Sequence, residues 1–451
     1  KFIVRIEDTD ITRGVEGAVE SILNSLRWLG LDWDEGPEVG DKYGPYFQSQ
    51  RLDKYHEIAQ QLISQGDAYY CYCSPQRLEE MRAERIRLKQ PPGYDRRCRS
   101  LSRGEGAKKE AEGITPVVRF KTPITGQTRF NDLIRGEVVF ENNTLDDFIL
   151  LKSDGYPTYH LASVADDHLM EISHVLRAEE WLSSTPRHLL LYQALDFKPP
   201  QFAHLPIILG SDRAKLSKRH GAVSITDYRQ QGYLAEAMVN FLALLGWSLD
   251  DKTEILSRQE LIDSFSLERV GRTAAIFNKD KLDWMNGVYI RSLSLKDFGQ
   301  RALPFLERDL PPEAGRPLAA DYVSQIMPLI QERARTLAEV AELSQFFFLD
   351  ELDYDSGLLI GKQMNQPSAA QALEVSRQRL ERLAAFDADS LEAVLRPLAA
   401  ELGLKTGQLF GTLRVSSTGR TAAPPLFQTM AVLGRERCLR RIGVALDRLS
   451  P

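Results

Sequence analysis

Lys215-Leu216-Ser217-Lys218-Arg219 places two ammonium groups three residues apart with a hydroxyl between them. On a loop, that set can clamp a polyphosphate, and it contributes most when negative charge moves onto a leaving pyrophosphate. The alternative is a solvated basic loop, the commoner fate of an arbitrary Lys-x-x-Lys. Upstream, Glu7 lies two residues from Arg5 on a β-type segment, so the two side chains share a face. Glu7 is then either a carboxylate for a substrate ammonium or half of a structural ion pair. Arg177 follows the apolar run Ile172 to Leu176 and is expected at a strand end. Its planar, permanently charged fork suits a carboxylate, the alternative being a salt bridge to Glu179 or Glu180. Cys71, Cys73 and Cys98 form a third group; clustered thiolates in a reducing compartment read as zinc ligands, or else as three ordinary cysteines. Cys438 stands apart and is expected to pack in a helix.

The elements that must position these groups follow from periodicity. Leu205 to Leu209 reads as a buried strand, and Gly210-Ser211-Asp212 as a turn leading into the lysine loop. Lys1 to Ile6 is β-type. Val15 to Gly30 and Leu52 to Gly66 carry helical spacing and end on glycine. Ser74 to Thr115 is rich in charge and turns, and β-type runs follow at Pro116–Lys121, Glu137–Phe140 and Phe148–Lys152. Pro186 to Leu195 is helical, and from about Tyr233 onward the pattern is helical with no convincing strand. The fold class expected is an α/β nucleotide-binding domain, doubly wound, with a mixed α+β insertion, followed by an all-α half. In such a sheet the ligand sits beyond the C-terminal strand ends.

Composition sets the outer bounds. The 451 residues are enough for several domains, and 43% hydrophobic content supports a core in each. No apolar run approaches the ~20 residues of a membrane span, so no membrane partner is expected. Four cysteines do not make a disulfide framework, which points to a cytoplasmic location. The net charge of −6 argues against nonspecific nucleic-acid coating. Local basic groups remain as candidate RNA contacts: Arg82, Arg85, Arg87, Lys89, Arg96, Arg97, Arg99 and Arg103, and near the end Arg435, Arg437, Arg440 and Arg441.

Four segments, in this order and spacing, resemble the bacterial and organellar glutamyl-tRNA synthetases, which are class I aminoacyl-tRNA synthetases. They are Arg5-Ile6-Glu7-Asp8-Thr9-Asp10, Gly155 to Ala162 (GYPTYHLA), Val175 to Trp181 (VLRAEEW) and the lysine loop. The resemblance implies an ATP-dependent ligase, using Mg²⁺, that joins L-glutamate to the 3′ end of glutamate tRNA through a glutamyl-adenylate. It assigns Glu7 to the substrate ammonium, and Tyr159, Ser163 and Arg177 to the rest of the glutamate. Many relatives have asparagine where this chain has Ser163. Glu180, Lys215 and Lys218 fall beside ATP, with Lys215, Ser217 and Lys218 as the catalytic clamp. For zinc, the resemblance implies Cys71, Cys73 and Cys98; a histidine used by some relatives is Ser100 here, and Tyr94 takes the fourth position by analogy with a shorter relative, the glutamyl-queuosine tRNA synthetase.

The same resemblance divides the chain into 1–60 with 160–225 for the chemistry, 61–159 for the acceptor end, 226–297 for the stem, and 298–350 and 351–451 for the anticodon. Arg333, with Arg335 as its backup, and Arg414 are the expected anticodon contacts, the alternative being surface arginines on helices. A monomer is expected. No histidine of the seven lies in the His-x-Gly-His pattern that class I enzymes carry before the Arg-Ile-Glu-Asp segment. The expectation is that this first strand and helix precede Lys1 in the full reading frame. The rival is a catalytically inactive paralogue that serves as a tRNA-binding module.

Overall fold

Strand-forming residues lie almost wholly in the first two thirds of the chain, and the computed structural model, which describes residues 1–10, 17–90, 93–217, 219 and 224–450, divides accordingly. Two compact units emerge: Lys1–His220 with Leu242–Phe277, and Gly221–Phe241 with Asn278–Pro451. The first carries the sheets and the second is helical. The expected α/β part with a mixed insertion and an all-α half is thus observed.

In the first unit, β1 (Ala68–Cys71), β2 (Val117–Phe120) and β5 (Ile149–Leu151) form an antiparallel sheet in the order β1-β2-β5. A second sheet has the order β4-β3-β7-β6, from β3 (Gln127–Asp132), β4 (Gly136–Glu141), β6 (His174–Ala178) and β7 (Gln201–Leu205). Here β6 and β7 run parallel, with Arg177 opposite His204. The β3–β4 hairpin joins them at Asp132, which pairs with Phe202 of β7. Helices Leu52–Gln65, Tyr159–Leu169 and Thr185–Ala194 pack Tyr55, Ile58, Leu62, Leu161, Val164 and Leu191 with Phe120, Phe148 and Phe202. The first helix ends on Gly66, whose φ of 87° is the left-handed conformation that only glycine adopts without strain.

Several local expectations change. Lys1 to Ile6 is not a continuous strand; Ile3 bridges to Glu35 and Ile6 to Phe47, two different loops, so no ladder can propagate. The apolar run Leu205–Leu209 is broken at Pro206, which has no N–H for a ladder, leaving β7 and a two-residue β8 (Ile208–Leu209). The strand β8 pairs with β9 (Ala275–Ile276), a pair of residues too short to show periodicity in the helical-looking region. Ser74 to Thr115, read as turns, holds helices Pro75–Arg87 and Arg103–Ala111. Ser74 and Ser102 cap their first turns, and Ser102 exchanges hydrogen bonds with Glu105 in a capping box. Both helices bury almost nothing, so apolar periodicity carries no signal there.

The second unit builds one core from Phe298, Leu306, Ile326, Ile330, Phe347, Leu373, Leu395, Leu413, Met430 and Ile442. Gly232, with φ +82°, accepts at its carbonyl from Leu337 N at 2.8 Å; an added Cβ would lie 2.4 Å from Ala338 N. That close approach fixes the turn between helices Ala320–Ile330 and Glu339–Phe348. Among the described residues no helix is long and apolar enough to cross a membrane.

Candidate active site

Parallel strands put their C-terminal ends on one side, and Arg177 lies near that end of β6. Its Nη1 donates to Tyr159 Oη at 2.7 Å, its Nη2 to Thr185 Oγ1 at 2.8 Å and its Nε to His204 Nε2 at 3.1 Å. Tyr159 and Thr185 each open a helix, so helix starts deliver both groups to the strand end. Trp181 stacks obliquely on Tyr159 with ring centroids 4.7 Å apart. No described carboxylate forms an ion pair with Arg177. The expected alternative partners are engaged elsewhere: Glu179 pairs with Arg135, and Glu180 with Lys215.

His204 is fully buried, and its Nδ1 donates to Asp132 Oδ2 at 2.6 Å. Burial pushes the imidazole below its usual range, and the Asp132 hydrogen bond opposes but does not cancel this. It is therefore neutral and accepts at Nε2. Burial pushes the Asp132 carboxyl up, yet the hydrogen bonds from His204 and from the N–H groups of Arg135 and Ile134 prevail and hold it low.

Glu7 lies 3.5 Å from Arg5 Nη2, which realises the ion pair foreseen as its structural alternative. Arg5 also reaches Asp167 Oδ1 at 3.0 Å, and Ser163 Oγ donates to Asp167 at 3.4 Å. Ser163 is buried in its helix and is linked to Glu7 through Asp167 and Arg5. Next to it Asp166, fully buried, accepts from Arg51 Nε at 2.7 Å, Tyr55 Oη at 2.8 Å and Gln48 Nε2 at 2.9 Å.

The lysine loop folds back on β8: Leu216 N donates to Ile208 O at 3.0 Å, and Gly210 N to Ala214 O at 2.8 Å. Lys215 and Ser217 are exposed, and Lys215 is paired with Glu180, so two residues expected beside ATP meet each other. Lys218 lies outside the described residues.

The three cysteines converge. Their sulfurs lie within 4.8 Å of one another, with Cys73 Sγ 3.5 Å from Cys98 Sγ. The Tyr94 hydroxyl is 3.3 Å from Cys71 Sγ and 3.5 Å from Cys73 Sγ. Hydrogen bonds, first from Cys98 and then from Tyr94, overcome burial and bring the Cys71 thiol down to about 4. Three soft sulfurs and a phenol oxygen are a donor set that fits zinc.

In the helical unit Arg333 and Arg335 lie in the turn before Glu339, not on a helix. Arg333 is exposed and has no side-chain partner among the described residues, whereas Arg335 Nη2 donates to Glu339 at 2.7 Å. Arg414 is half-buried on helix Thr406–Thr418. The arginines of the terminal group all have partners within the chain. Arg435, Arg437 and Arg441 donate to main-chain carbonyls, and Arg440 pairs with Asp350.

Sequence reading missed Asp132, Thr185, Asp167 and His204. A histidine in the apolar Gln201–Leu205 strand was a usable signal; Asp132, at the end of a strand with mixed composition, offered none.

Residues 1–284 match the family model of "tRNA synthetases class I (E and Q), catalytic domain", and residues 297–446 match "Anticodon binding domain". A glutamate–tRNA ligase of Dehalococcoides mccartyi is 62% identical over 100% of this chain and 92% of that protein. One from Moorella thermoacetica is 48% identical over 98% of this chain and 90% of that protein. The crystal structure of a glutamate tRNA ligase from Elizabethkingia meningosepticum, in complex with its amino acid, superposes with a TM-score of 0.87 at 35% identity, covering 99% of this chain and 93% of that one.

Proposed function

The chain belongs to the class I tRNA synthetases of the glutamate and glutamine type, and on that premise we propose that it is a glutamate–tRNA ligase. It activates L-glutamate with ATP and Mg²⁺ and transfers it to the 3′ end of glutamate tRNA. The observation that carries this reading is Arg177, a guanidinium fixed at a sheet end by neutral acceptors, with no carboxylate of its own. Such a cation is poised for the side-chain carboxylate of the substrate. Tyr159 accepts from Arg177, so its own O–H is left to donate to the same substrate. Glu7 takes the ammonium, and Ser163 acts through Asp167 and Arg5.

In the first step the glutamate α-carboxylate attacks the α-phosphorus of ATP; that P–O bond forms as the bond to pyrophosphate breaks. Lys215, Ser217 and Lys218 neutralise the charge that builds on the leaving group, with Glu180 yielding Lys215 to the phosphates. In the second step the terminal ribose hydroxyl attacks the carbonyl carbon of the adenylate, its C–O bond forming as the bond to the phosphate oxygen breaks, and AMP leaves with the hydroxyl proton on its phosphate. Positioning and electrostatics carry both steps, without a protein nucleophile.

Residues 1–60 and 160–225 perform this chemistry, 61–159 hold the acceptor end, and 226–297 contact the stem. Residues 298–350 and 351–451 read the anticodon, with Arg333 and Arg414 as contacts. Cys71, Cys73, Cys98 and Tyr94 hold a zinc ion that ties Ala68–Cys71 to the segment 94–98 and leaves the reaction untouched. The protein works as a cytoplasmic monomer.

The test is charging of glutamate and glutamine tRNA transcripts with labelled glutamate, using protein expressed from its own reading frame. Labelled glutamyl-tRNA is the expected product. Binding of tRNA without ATP–pyrophosphate exchange or charging returns the reading of a non-catalytic binding module. Zinc is tested separately by metal analysis: about one equivalent is expected, and Cys98→Ser should lose it.

A further inference from the structure

We infer that Asp132 and His204 are positioning residues for the amino-acid pocket, holding Arg177 so that only the outer edge of its guanidinium faces the substrate. The inference rests on the reading of Arg177 given above and goes beyond it, because neither residue belongs to a segment that pointed to the function.

Arginine has five N–H donors. Nε and Nη2 lie on one edge, and that edge is closed by His204 Nε2 and Thr185 Oγ1, which are themselves 3.2 Å apart. A third donor goes to Tyr159. Two remain, one on each terminal nitrogen, and these form the fork that a carboxylate can take.

His204 can hold Arg177 only if its Nε2 carries a lone pair, so the ring proton must sit on Nδ1. Asp132 enforces that tautomer from 2.6 Å. It cannot turn away, because the N–H groups of Arg135, Ile134 and His204 pin the same carboxylate at 2.9, 3.0 and 3.1 Å. Asp132 and His204 are both buried. With the other tautomer, two N–H donors would face each other and the guanidinium would have to turn.

The choice of a neutral ring also has a reason. A carboxylate bound directly to Arg177 would cancel the charge that attracts the substrate and compete for the same fork. An imidazole fixes the guanidinium while leaving its charge intact, and the balancing carboxylate of Asp132 stands one ring further away. A buried histidine serving structure alone needs only its bond to Asp132; the second nitrogen meets Arg177, which keeps an unused donor on each terminal nitrogen.

Asp132→Asn tests this in the full chain, since an amide N–H opposite Nδ1 favours the Nε2–H tautomer. Long-range imidazole ¹⁵N spectra should show Nδ1–H in the parent and Nε2–H in the variant. The KM for glutamate should rise about tenfold to a hundredfold, with the KM for ATP within about twofold. His204→Gln, whose amide oxygen can accept from Arg177, should retain more glutamate affinity than His204→Ala. An unchanged tautomer in Asp132→Asn overturns the relay, as does an equal rise in both KM values or no advantage of glutamine over alanine at position 204. If Arg177→Ala abolishes charging while Asp132→Asn switches tautomer without moving the glutamate KM, the relay falls and the function stands. If Arg177→Ala charges normally, the reading of the pocket falls, and this inference with it.

Discussion

Arg177 in the sheet unit and Arg441 in the helical unit are both held without a carboxylate. Arg177 donates to a phenol, a hydroxyl and an imidazole. Arg441 donates to three main-chain carbonyls, with Nη1 on Ser417 and Nη2 on Phe346 and Leu349 at 2.7 and 2.6 Å. The difference lies in what is left over. Arg177 is half-buried and keeps two donors at a strand end, while Arg441 is 4% exposed and enclosed by the carbonyls that close two helices. Burial brings its guanidinium down to about 10, with Arg437 adding to the effect. The same chemistry therefore leaves donors open at a strand end in one unit and caps helices in the other. An open edge at the end of a strand makes the first possible; carbonyls with no helical partner demand the second.

The comparison breaks most visibly at Arg177. Truncation to alanine should cut glutamate charging at least roughly a hundredfold, about 3 kcal/mol, while leaving the melting temperature nearly unchanged. Lysine should not restore it, because a point charge cannot replace the fork. Arg441→Met should do the reverse. Three carbonyls lose their donor, costing about 2–4 kcal/mol, so thermal unfolding of the helical unit should shift down by several degrees with the glutamate KM unchanged. A large KM effect from Arg441→Met would dissolve the distinction.

Arg333 sharpens the contrast, being exposed and without a side-chain partner among the described residues. Arg333→Ala should weaken tRNA binding about tenfold in a filter assay, in line with ~1–3 kcal/mol for a lost base contact. Arg335→Ala should do less, because Glu339 already engages that side chain. Equal losses at both positions would mean that the turn recognises RNA by charge alone.

The smallest effect concerns acid stability of the sheet unit. His160 donates to or accepts from His188 at 3.1 Å, and burial, followed by Arg187 and Arg177, brings it down to about 4. A histidine depressed in the folded state is protonated first in the unfolded chain. Its contribution is complete above pH about 6.5 and is lost as pH falls toward about 4. Chemical denaturation across that window should show stability declining, and His160→Gln should flatten the decline.

Legibility differed between the units for related reasons. Helix Leu52–Gln65 was plain because Tyr55, Ile58, Ala59 and Leu62 repeat at helical spacing above a closing glycine. Helices Pro75–Arg87 and Arg103–Ala111 were not, since a helix that buries little has no apolar period to read. The strand expected through Pro206 followed hydropathy and neglected the missing N–H. In the site, Arg177, Tyr159, Glu180 and Lys215 were singled out by short segments, and the structure pairs Arg177 with Tyr159 and Glu180 with Lys215. The carbonyl partners of Arg435, Arg437 and Arg441 were not legible, because charge in a sequence does not reveal whether a side chain meets water or a carbonyl.

Read alone, the sequence determined the class of fold, the family resemblance and the reactive side chains, because these depend on residue type and on spacings of a few positions. Tertiary structure alone decided which of those side chains are free to act. Asp132, His204 and Arg177 are distant along the chain and meet only where β3, β6 and β7 lie side by side. The tautomer of one ring and the open edge of one guanidinium follow from that meeting, since hydrogen bonds of about 3 Å are set by neighbours in space.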